Sequence, residues 1–390
     1  MDAVRKTVFA ELVASNITTV GSTFNKCSGS KSKLTRTNSL VPDPVVLPCD
    51  GVTNGVAWTF SKCDFDDFNG YADAADAALI ARGVNLAAYK YRCAPPGAGL
   101  CAGGCAAAAA AAAAPSLHSP APCSPCLLLL APPCCSVYLV PPGACGFVGI
   151  GYVGCDGAGA ACRTWVGGNH WTVPQAIAHE MGHNMFMAHA TSVDAAGVVD
   201  EYGDSTDMMG ACCSDRCPNA AHSWQMGWLS LTQHDGSTLA PGKTVSVTIY
   251  AQSSAVGIAT RSGGVRINPT WAAGAQPVFV GYRVKAYSDA GLEAHLSGRV
   301  HLHHSTITNT YDASFTEWRG SLAKGESWTD DDSGVVVRAV STGSGSAIVS
   351  LCRKGGAETL ESCRANLDND CNGLVGSKDP ACVPLLAAAV

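Results

Sequence analysis

The stretch HEMGHNMFMAH, residues 179–189, sets three histidines and one glutamate at fixed intervals. His179 and His183 are four residues apart, so a helix through this stretch would place both imidazoles on one face. Glu180 would lie on the neighbouring flank, within reach of a metal-bound water without being a ligand itself. His189 follows His183 beyond the helix end, so the chain must turn sharply before it. The pattern therefore predicts a metal site.

Three neutral imidazoles leave one coordination position open, which is typical of catalytic zinc and not of closed structural sites. We therefore expect one catalytic zinc ion bound by His179, His183 and His189. Glu180 would be the general base towards a zinc-activated water that attacks a peptide carbonyl. A metal site without catalysis is the alternative that these residues leave open.

The residues around the motif predict an α/β unit. Thr172 and Gln175 have the spacing of a capping box at the start of the motif helix. Residues 71–92 read as a helix that stops near Gly83 and is followed by a strand. Residues 137–157 form a glycine-rich β stretch of the kind that lines clefts.

From about residue 240 the sequence changes to short alternating runs separated by Gly, Ser, Asp and Asn, which predict an all-β, sandwich-like domain. The expected organisation is a catalytic domain over residues 1–230, a β-sandwich-like domain over 235–355 and an acidic tail over 360–384.

Residues 93–136 are mostly alanine, proline, cysteine and leucine, with no pattern that could form a packed face. The flanking runs YKYR (89–92) and VYLV (137–140) read as one strand once this segment is removed. We interpret it as a low-complexity insertion within the catalytic domain. The alternatives are a proline-rich linker between domains and an artefact of the gene model.

Charge and hydropathy argue against two classes of partner. The chain carries 25 Lys and Arg against 31 Asp and Glu, a net charge of −6, and has no basic run. Nucleic acid is therefore not an expected partner. No apolar run approaches the ~20 residues that span a bilayer, so no membrane span is predicted.

Twenty cysteines in 390 residues indicate an oxidising, extracellular setting with disulfides. Cys212, Cys213 and Cys217 are accordingly expected to be disulfide partners rather than metal ligands. The first twenty residues contain no clean signal peptide, because Glu11 interrupts the apolar run. An extracellular location therefore implies that the N-terminus is truncated in this chain.

The motif and its surroundings resemble a known family. YKYR, VYLVPPGACGFVGIGYVGC, WTVPQAIAHEMGHN, EYGDSTDMMG and CPNAAHSWQMGW together resemble the gametolysin-type zinc metallopeptidases of green algae. HEMGHNMFMAH is similar to the extended zinc motif of the metzincins. The resemblance covers about residues 18–352 outside the insertion. It implies an α/β metzincin-like catalytic domain in which His179, His183 and His189 bind zinc and Glu180 is the general base.

The resemblance also implies a methionine turn and a substrate. Met209 in DMMG corresponds to the methionine below the metal, with Met208 as the rival position. The substrates of such enzymes are hydroxyproline-rich glycoproteins of the extracellular matrix or cell wall. Phe186 stands where the metzincin pattern has glycine, and a β-carbon makes a positive φ costly by about 1 kcal/mol. A catalytically silent matrix or adhesion protein that retains the metal-binding fold is therefore the alternative function.

The tail ESCRANLDNDCNGLVGSKDPAC, residues 361–382, carries oxygen ligands at short intervals. It resembles a short acidic, cysteine-containing repeat regarded as metal-binding in secreted microbial and algal proteins. Calcium is the expected ion, and its candidate ligands are Asp368, Asp370, Asn372 and Asp379. A disulfide-tied acidic loop without calcium is the alternative.

Three further histidines lie in one predicted strand, where alternation puts His301 and His303 on one face and His304 on the other. A structural role is favoured over a second metal site. His222 and Trp224 are likewise interpreted as structural.

Overall fold

The computed structural model describes residues 1–89, 136–143, 145–154, 162–194 and 196–388. The predicted insertion and the strand expected at YKYR lie outside these ranges, apart from Tyr89 and Ser136.

The described ranges contain both helices and strands. The helices are α1 (Asp2–Val8), α2 (Val20–Cys27), α3 (Phe65–Ala81), α4 (Pro174–Asn184), α5 (Ala220–Gln225), α6 (Ala255–Ala259), α7 (Leu360–Ala365) and α8 (Cys382–Ala387). The strands are β1 (Asp50–Thr53), β2 (Val56–Thr59), β3 (Ser136–Leu139), β4 (Gly149–Gly151), β5 (Arg163–Val166), β6 (Ala190–Val193), β7 (Val199–Asp200), β8 (Thr232–His234), β9 (Thr244–Tyr250), β10 (Gly264–Ile267), β11 (Val278–Arg283), β12 (Arg299–His304), β13 (Thr316–Leu322), β14 (Ser327–Asp330), β15 (Val335–Thr342) and β16 (Ser346–Arg353). The prediction of a mixed α/β chain is confirmed.

A three-stranded sheet of order β3-β5-β4 lies in the N-terminal half. β5 is parallel to β3 and antiparallel to β4, and all four of its residues are buried. Trp165 of β5 packs with Phe68 and Tyr71 of α3, so the sheet and this helix share an aromatic core. α4 contacts both β4 and β5, which leaves β4 as the edge strand beside the helix that carries the histidine motif.

The N-terminal helices support α4 from another side. Val8 of α1 and Phe24 of α2 belong to the same buried apolar cluster as Ile177 and Met181 of α4. The motif helix is therefore enclosed between the small sheet and the N-terminal helices, which fixes its position.

Two larger sheets form the C-terminal half, with orders β7-β6-β13-β12-β11-β10-β8 and β14-β15-β16-β9. Side chains from β9, β15 and β16 share one apolar core with side chains from β10, β11 and β12, so the two sheets pack face to face.

The seven-stranded sheet also includes strands from the region of the histidine motif. β6, which begins directly after His189, pairs in parallel with β13, and Ala190 lies opposite Thr316. The sheet therefore joins residues on both sides of the division predicted near residue 230, a connection that the sequence did not indicate.

Disulfides connect distant parts of the described chain. They join Cys27 to Cys217, Cys63 to Cys145, Cys212 to Cys213, Cys352 to Cys371 and Cys363 to Cys382. The prediction of disulfides is confirmed, and Cys217 is among the paired cysteines. In the part of the chain that the structure describes, no helix has the length and apolar character needed to cross a bilayer.

Replacing both Cys27 and Cys217 with alanine should lower the free energy of unfolding by about 3 kcal/mol. The bond between them spans 190 residues of sequence, so its loss frees a long loop in the unfolded chain. Chemical denaturation measures the change. Cys49→Ala, which removes an exposed free thiol, is the control and should change stability by less than about 0.5 kcal/mol. Equal effects of the two sets of substitutions would contradict this expectation.

Candidate metal centre

The motif helix begins differently from the sequence prediction. Its N-cap is Val173, whose side chain makes no capping hydrogen bond, and Pro174 occupies the first turn. The capping box predicted for Thr172 and Gln175 is therefore wrong. Gln175 instead donates from Nε2 to the carbonyl oxygen of Met208 at 2.9 Å, because the start of the helix lies against the buried methionine turn.

The three motif histidines come together in space. The ring centroids of His179 and His183 are 4.8 Å apart, and that of His189 lies 5.4 Å from the first and 4.7 Å from the second. One ring nitrogen from each can be chosen so that all three lie within 4.8 Å of one another. Imidazole nitrogens at this separation could share one metal ion.

The other nitrogen of each ring is engaged by an oxygen that can only accept a hydrogen bond. The pairs are His179 Nδ1 with Met208 O at 3.0 Å, His183 Nδ1 with Met187 O at 2.9 Å and His189 Nδ1 with Glu201 Oε1 at 2.6 Å. A proton on each Nδ1 satisfies these bonds and leaves the lone pair of each Nε2 free for a metal. The surrounding oxygens thus select the tautomer that a metal site needs.

Burial keeps these imidazoles neutral. It lowers the pKa of His179 to about 4 and the pKa of His183 to about 3, and it also lowers the pKa of His189. A neutral ring is the form that binds a metal, so the two helix residues are ready to act as ligands throughout the neutral pH range.

Glu180 follows His179 on α4 and faces the edge strand β4. It is 4% exposed, and its Oε2 has no hydrogen-bond partner. A β-carbon added to Gly149 would come within 2.5 Å of Glu180 Oε1, so glycine on β4 is what leaves room for this carboxyl. Burial raises its pKa to about 8. A buried carboxyl oxygen without a partner, one residue along the helix from His179, fits a bound cation and its water.

Phe186 supplies the turn that brings His189 back to the helix. Its φ is +69°, the left-handed conformation that glycine would adopt without strain. Contacts from elsewhere fix it: Gln225 Nε2 donates to Phe186 O at 2.9 Å, and the Tyr311 ring meets the Phe186 ring edge-on at 5.1 Å. The departure from glycine therefore leaves the path of the chain intact.

The methionine turn lies directly beneath the motif helix. Met208 and Met209 are fully buried, and the Met209 sulfur packs against Gly182 of α4. Met208 contributes its carbonyl to His179, as described above, while Met209 N donates to Asp207 Oδ1 at 2.6 Å. The two methionines therefore differ in role: one supports a histidine through its backbone, and the other fills the space under the helix.

Sequence reasoning missed three residues that shape the centre. Glu201 orients His189, and the ring of Tyr202 lies 4.2 Å from the same imidazole. Asp207 fixes the methionine turn and pairs with His222 Nδ1 at 2.9 Å. The sequence signal for these three residues is their place in EYGDSTDMMG, a run that indicates the family without indicating the role of each residue.

The three histidines of β12 have separate partners. His301 Nε2 lies 2.9 Å from Leu296 O, His303 Nε2 lies 3.0 Å from Asp204 Oδ2, and His304 Nε2 lies 3.4 Å from Asp330 Oδ1. All three are buried, and the metal-compatible groups found among the described residues do not include them. Trp224, also interpreted as structural, packs against Phe279 and under the guanidinium of Arg266.

The tail gathers carboxylates around a disulfide-tied turn. Oxygens of Glu358, Asp370 and Asp379 lie within 4.8 Å of one another, and Asn372 Nδ2 donates to Asp370 at 3.0 Å. Asp368 directs Oδ2 to Gly373 N at 2.9 Å, while its buried Oδ1 has no partner. Glu358 was missed because it precedes the segment that the sequence pattern singled out.

Three converging imidazoles beside a buried glutamate define a candidate centre for metal-dependent hydrolysis. The sequence profile of the family described as gametolysin peptidase M11 matches residues 1–323, and the chain belongs to this family. The chain is 27% identical over 294 residues to a protein named autolysin from Chlamydomonas reinhardtii. The aligned region covers 63% of this chain and 45% of the relative. The chain thus spans less than half of that relative's length. No solved structure gives a significant match.

In metal-free protein, Glu180→Gln should raise the melting temperature by an amount that grows as the pH rises from about 5 to about 8. Because burial raises the pKa of Glu180 to about 8 from 4.5, the folded state keeps a proton that the unfolded chain has released. Stability therefore falls with rising pH over this window, and glutamine removes that loss. Thermal unfolding in the presence of a chelator at several pH values measures the difference in melting temperature. Glu361→Gln, at an exposed position, is the control. A pH-independent difference would contradict it.

Phe186→Gly should be more stable than Phe186→Ala by about 1 kcal/mol. Both substitutions remove the ring, so the difference isolates the cost of a β-carbon at a φ of +69°. Urea denaturation of the metal-free protein measures it. At Ala77, an exposed position in the interior of α3, the order should be the opposite, with alanine more stable than Ala77→Gly, because glycine destabilises an ordinary helix. The same order at both positions would argue against strain at Phe186.

Proposed function

We propose that the protein is a secreted zinc endopeptidase that hydrolyses peptide bonds in extracellular-matrix or cell-wall glycoproteins. The observation that carries the proposal is the convergence of His179, His183 and His189 beside the buried carboxyl of Glu180. Three neutral nitrogen ligands and an open position suit a single catalytic zinc ion. Membership of a peptidase family supports peptide-bond hydrolysis as the reaction.

Zinc, when bound, would polarise the peptide carbonyl and make water a better nucleophile. Glu180 would act as general base and take the proton of the attacking water, and the same carboxyl would then pass that proton to the leaving nitrogen. Its burial and its Oε2 support this role, since within the described part of the chain that oxygen has no hydrogen-bond partner. Met209 would form the apolar support under the zinc site.

The edge strand β4 is a candidate surface for the substrate backbone. Among the described strands only β5 pairs with β4, so an extended peptide could add to the other side of β4. Gly149 and Gly151 both lie against Glu180, and a side chain at Gly149 would collide with the carboxyl. A peptide bound along β4 would therefore pass close to the general base.

The substrate class and location rest on relatives and on cysteine chemistry. The family and the relative named autolysin support a wall or matrix glycoprotein as substrate. The disulfides support an extracellular location. Within this proposal, residues 1–230 are the catalytic domain, 235–355 the β-sandwich-like domain and 360–384 the tail, with the seven-stranded sheet shared between the first two.

The test is zinc content and proteolysis of the full chain beside Glu180→Ala. One equivalent of zinc in both proteins is expected, because Glu180 is not a ligand. The unsubstituted chain is expected to cleave a denatured or proline-rich protein. In Glu180→Ala the rate of cleavage should fall by at least about a hundredfold. Zinc without Glu180-dependent cleavage would support the silent matrix or adhesion protein instead. Absence of zinc would refute the metal site.

We further propose that the tail binds calcium. Carboxylates of Glu358, Asp370 and Asp379 lie close together although like charges repel, and Asp368 adds a buried oxygen that lacks a partner. Oxygen ligands of this kind suit calcium.

Calcium at about a hundred times its dissociation constant should stabilise the folded tail by about 2.7 kcal/mol. Glu358→Gln with Asp379→Asn should abolish this response, whereas the exposed Asp331→Asn should not. Calcium titration of the full chain, followed by calorimetry and thermal unfolding, provides the measurement. If calcium produces neither heat of binding nor a rise in melting temperature, the tail is a disulfide-tied acidic loop that does not bind calcium.

A further inference from the structure

The segment between β12 and β13, residues 305–315, lies beside the candidate metal centre although it belongs to the C-terminal half of the chain. Gln225 of α5 connects the two: its Nε2 donates to Phe186 O at 2.9 Å and to Asp312 O at 3.1 Å. Thr310 Oγ1 returns a bond to Gln225 O at 2.9 Å. The segment is therefore tied to the same turn that brings His189 into the centre.

Internal hydrogen bonds fix the shape of this segment. Asp312 accepts from Thr308 N at 3.0 Å and from Ser314 Oγ at 2.6 Å, and Ser305 Oγ donates to Phe315 O at 2.9 Å. A loop whose side chains bond its own backbone in this way offers a preformed surface rather than a mobile one.

Phe315 ends the segment with its ring next to the third candidate ligand. The centroids of the Phe315 and His189 rings are 6.4 Å apart, with planes only 24° from parallel. The following residue, Thr316, donates its N–H to His189 O at 3.3 Å, so the two residues are joined through the backbone as well. Despite these constraints Phe315 is 55% exposed.

A second exposed ring meets the same imidazole. Tyr202 is 43% exposed, and its ring centroid lies 4.2 Å from that of His189. A single exposed apolar side chain is ordinary, but here two exposed rings lie against the same candidate metal ligand, so both are within side-chain reach of a peptide bond held at the metal.

We propose that Phe315, together with Tyr202, receives an apolar side chain of the peptide substrate next to the cleaved bond, so that the C-terminal half of the chain determines part of the specificity. The inference deepens the proposed peptidase function and rests on it. The occupant is an aliphatic or aromatic side chain, because the two rings offer it dispersion contacts and shelter from water.

The experiment uses the full chain, loaded with zinc and inactivated by Glu180→Ala, and two labelled peptides that differ at one central position, leucine or serine. Fluorescence anisotropy gives the ratio of their affinities. Tighter binding of the leucine peptide is expected, and Phe315→Ala should reduce the ratio about tenfold. Phe315→Leu should restore part of it. Val340→Ala, at an exposed apolar position on β15, is the matched control and should leave the ratio unchanged.

Each other outcome has a definite meaning. Equal binding of the two peptides, no binding of the leucine peptide, or an equal loss for both in Phe315→Ala would overturn the inference. A lowered zinc content or melting temperature of Phe315→Ala would show that this variant folds incorrectly. The affinity ratio of Phe315→Leu would then be the test of the inference. If the unmutated chain cleaves neither peptide while the ratio depends on Phe315, the peptidase proposal fails and the binding surface stands. If the unmutated chain cleaves the peptides but the affinity ratio does not depend on Phe315, the inference fails and the peptidase proposal stands.

Discussion

The candidate centre depends on one turn of the backbone that a helix does not provide. His179 and His183 share a helix face, but His189 reaches them only because the chain reverses at Phe186, whose φ is +69°. A left-handed residue with a β-carbon costs about 1 kcal/mol, and contacts from Gln225 and Tyr311 offset that cost. Both contacts come from outside the motif helix. The geometry of the centre is therefore a property of the whole fold.

The candidate centre also depends on two buried carboxylates of the methionine turn region, Asp204 and Asp207. Asp207 binds the backbone of Met209 and the ring of His222, while Asp204 accepts a bond from His303 of the seven-stranded sheet. Burying a carboxylate is costly unless its oxygens are satisfied, so these partners must be present together. Two histidines thereby serve the structure by pairing with carboxylates. The Met208 carbonyl that fixes the tautomer of His179 lies in the same turn.

The shared sheet explains why the two halves of the chain meet at the centre. β6 begins one residue after His189 and pairs with β13, so the segment that precedes β13 has to pass beside the third histidine. Phe315 and Tyr311 reach the centre for this reason. β4 and α4 together position Glu180, whereas a residue of the C-terminal half, Phe315, lies against His189.

The sequence alone predicted the metal-binding chemistry of the candidate centre, because the spacing of His179, Glu180 and His183 is fixed by the repeat of a single helix. It also determined the mixed α/β class and the disulfide character of the cysteines, since hydrophobic period and composition are local properties. Only the tertiary structure decided which oxygen meets each Nδ1, that Gln175 supports the methionine turn instead of a capping box, and that Glu358 joins the tail carboxylates. It also decided the pairing of β6 with β13. These contacts join residues of different structural elements, 12 positions apart for His189 and Glu201 and 33 apart for Gln175 and Met208. No local pattern encodes which side chain the fold brings to another.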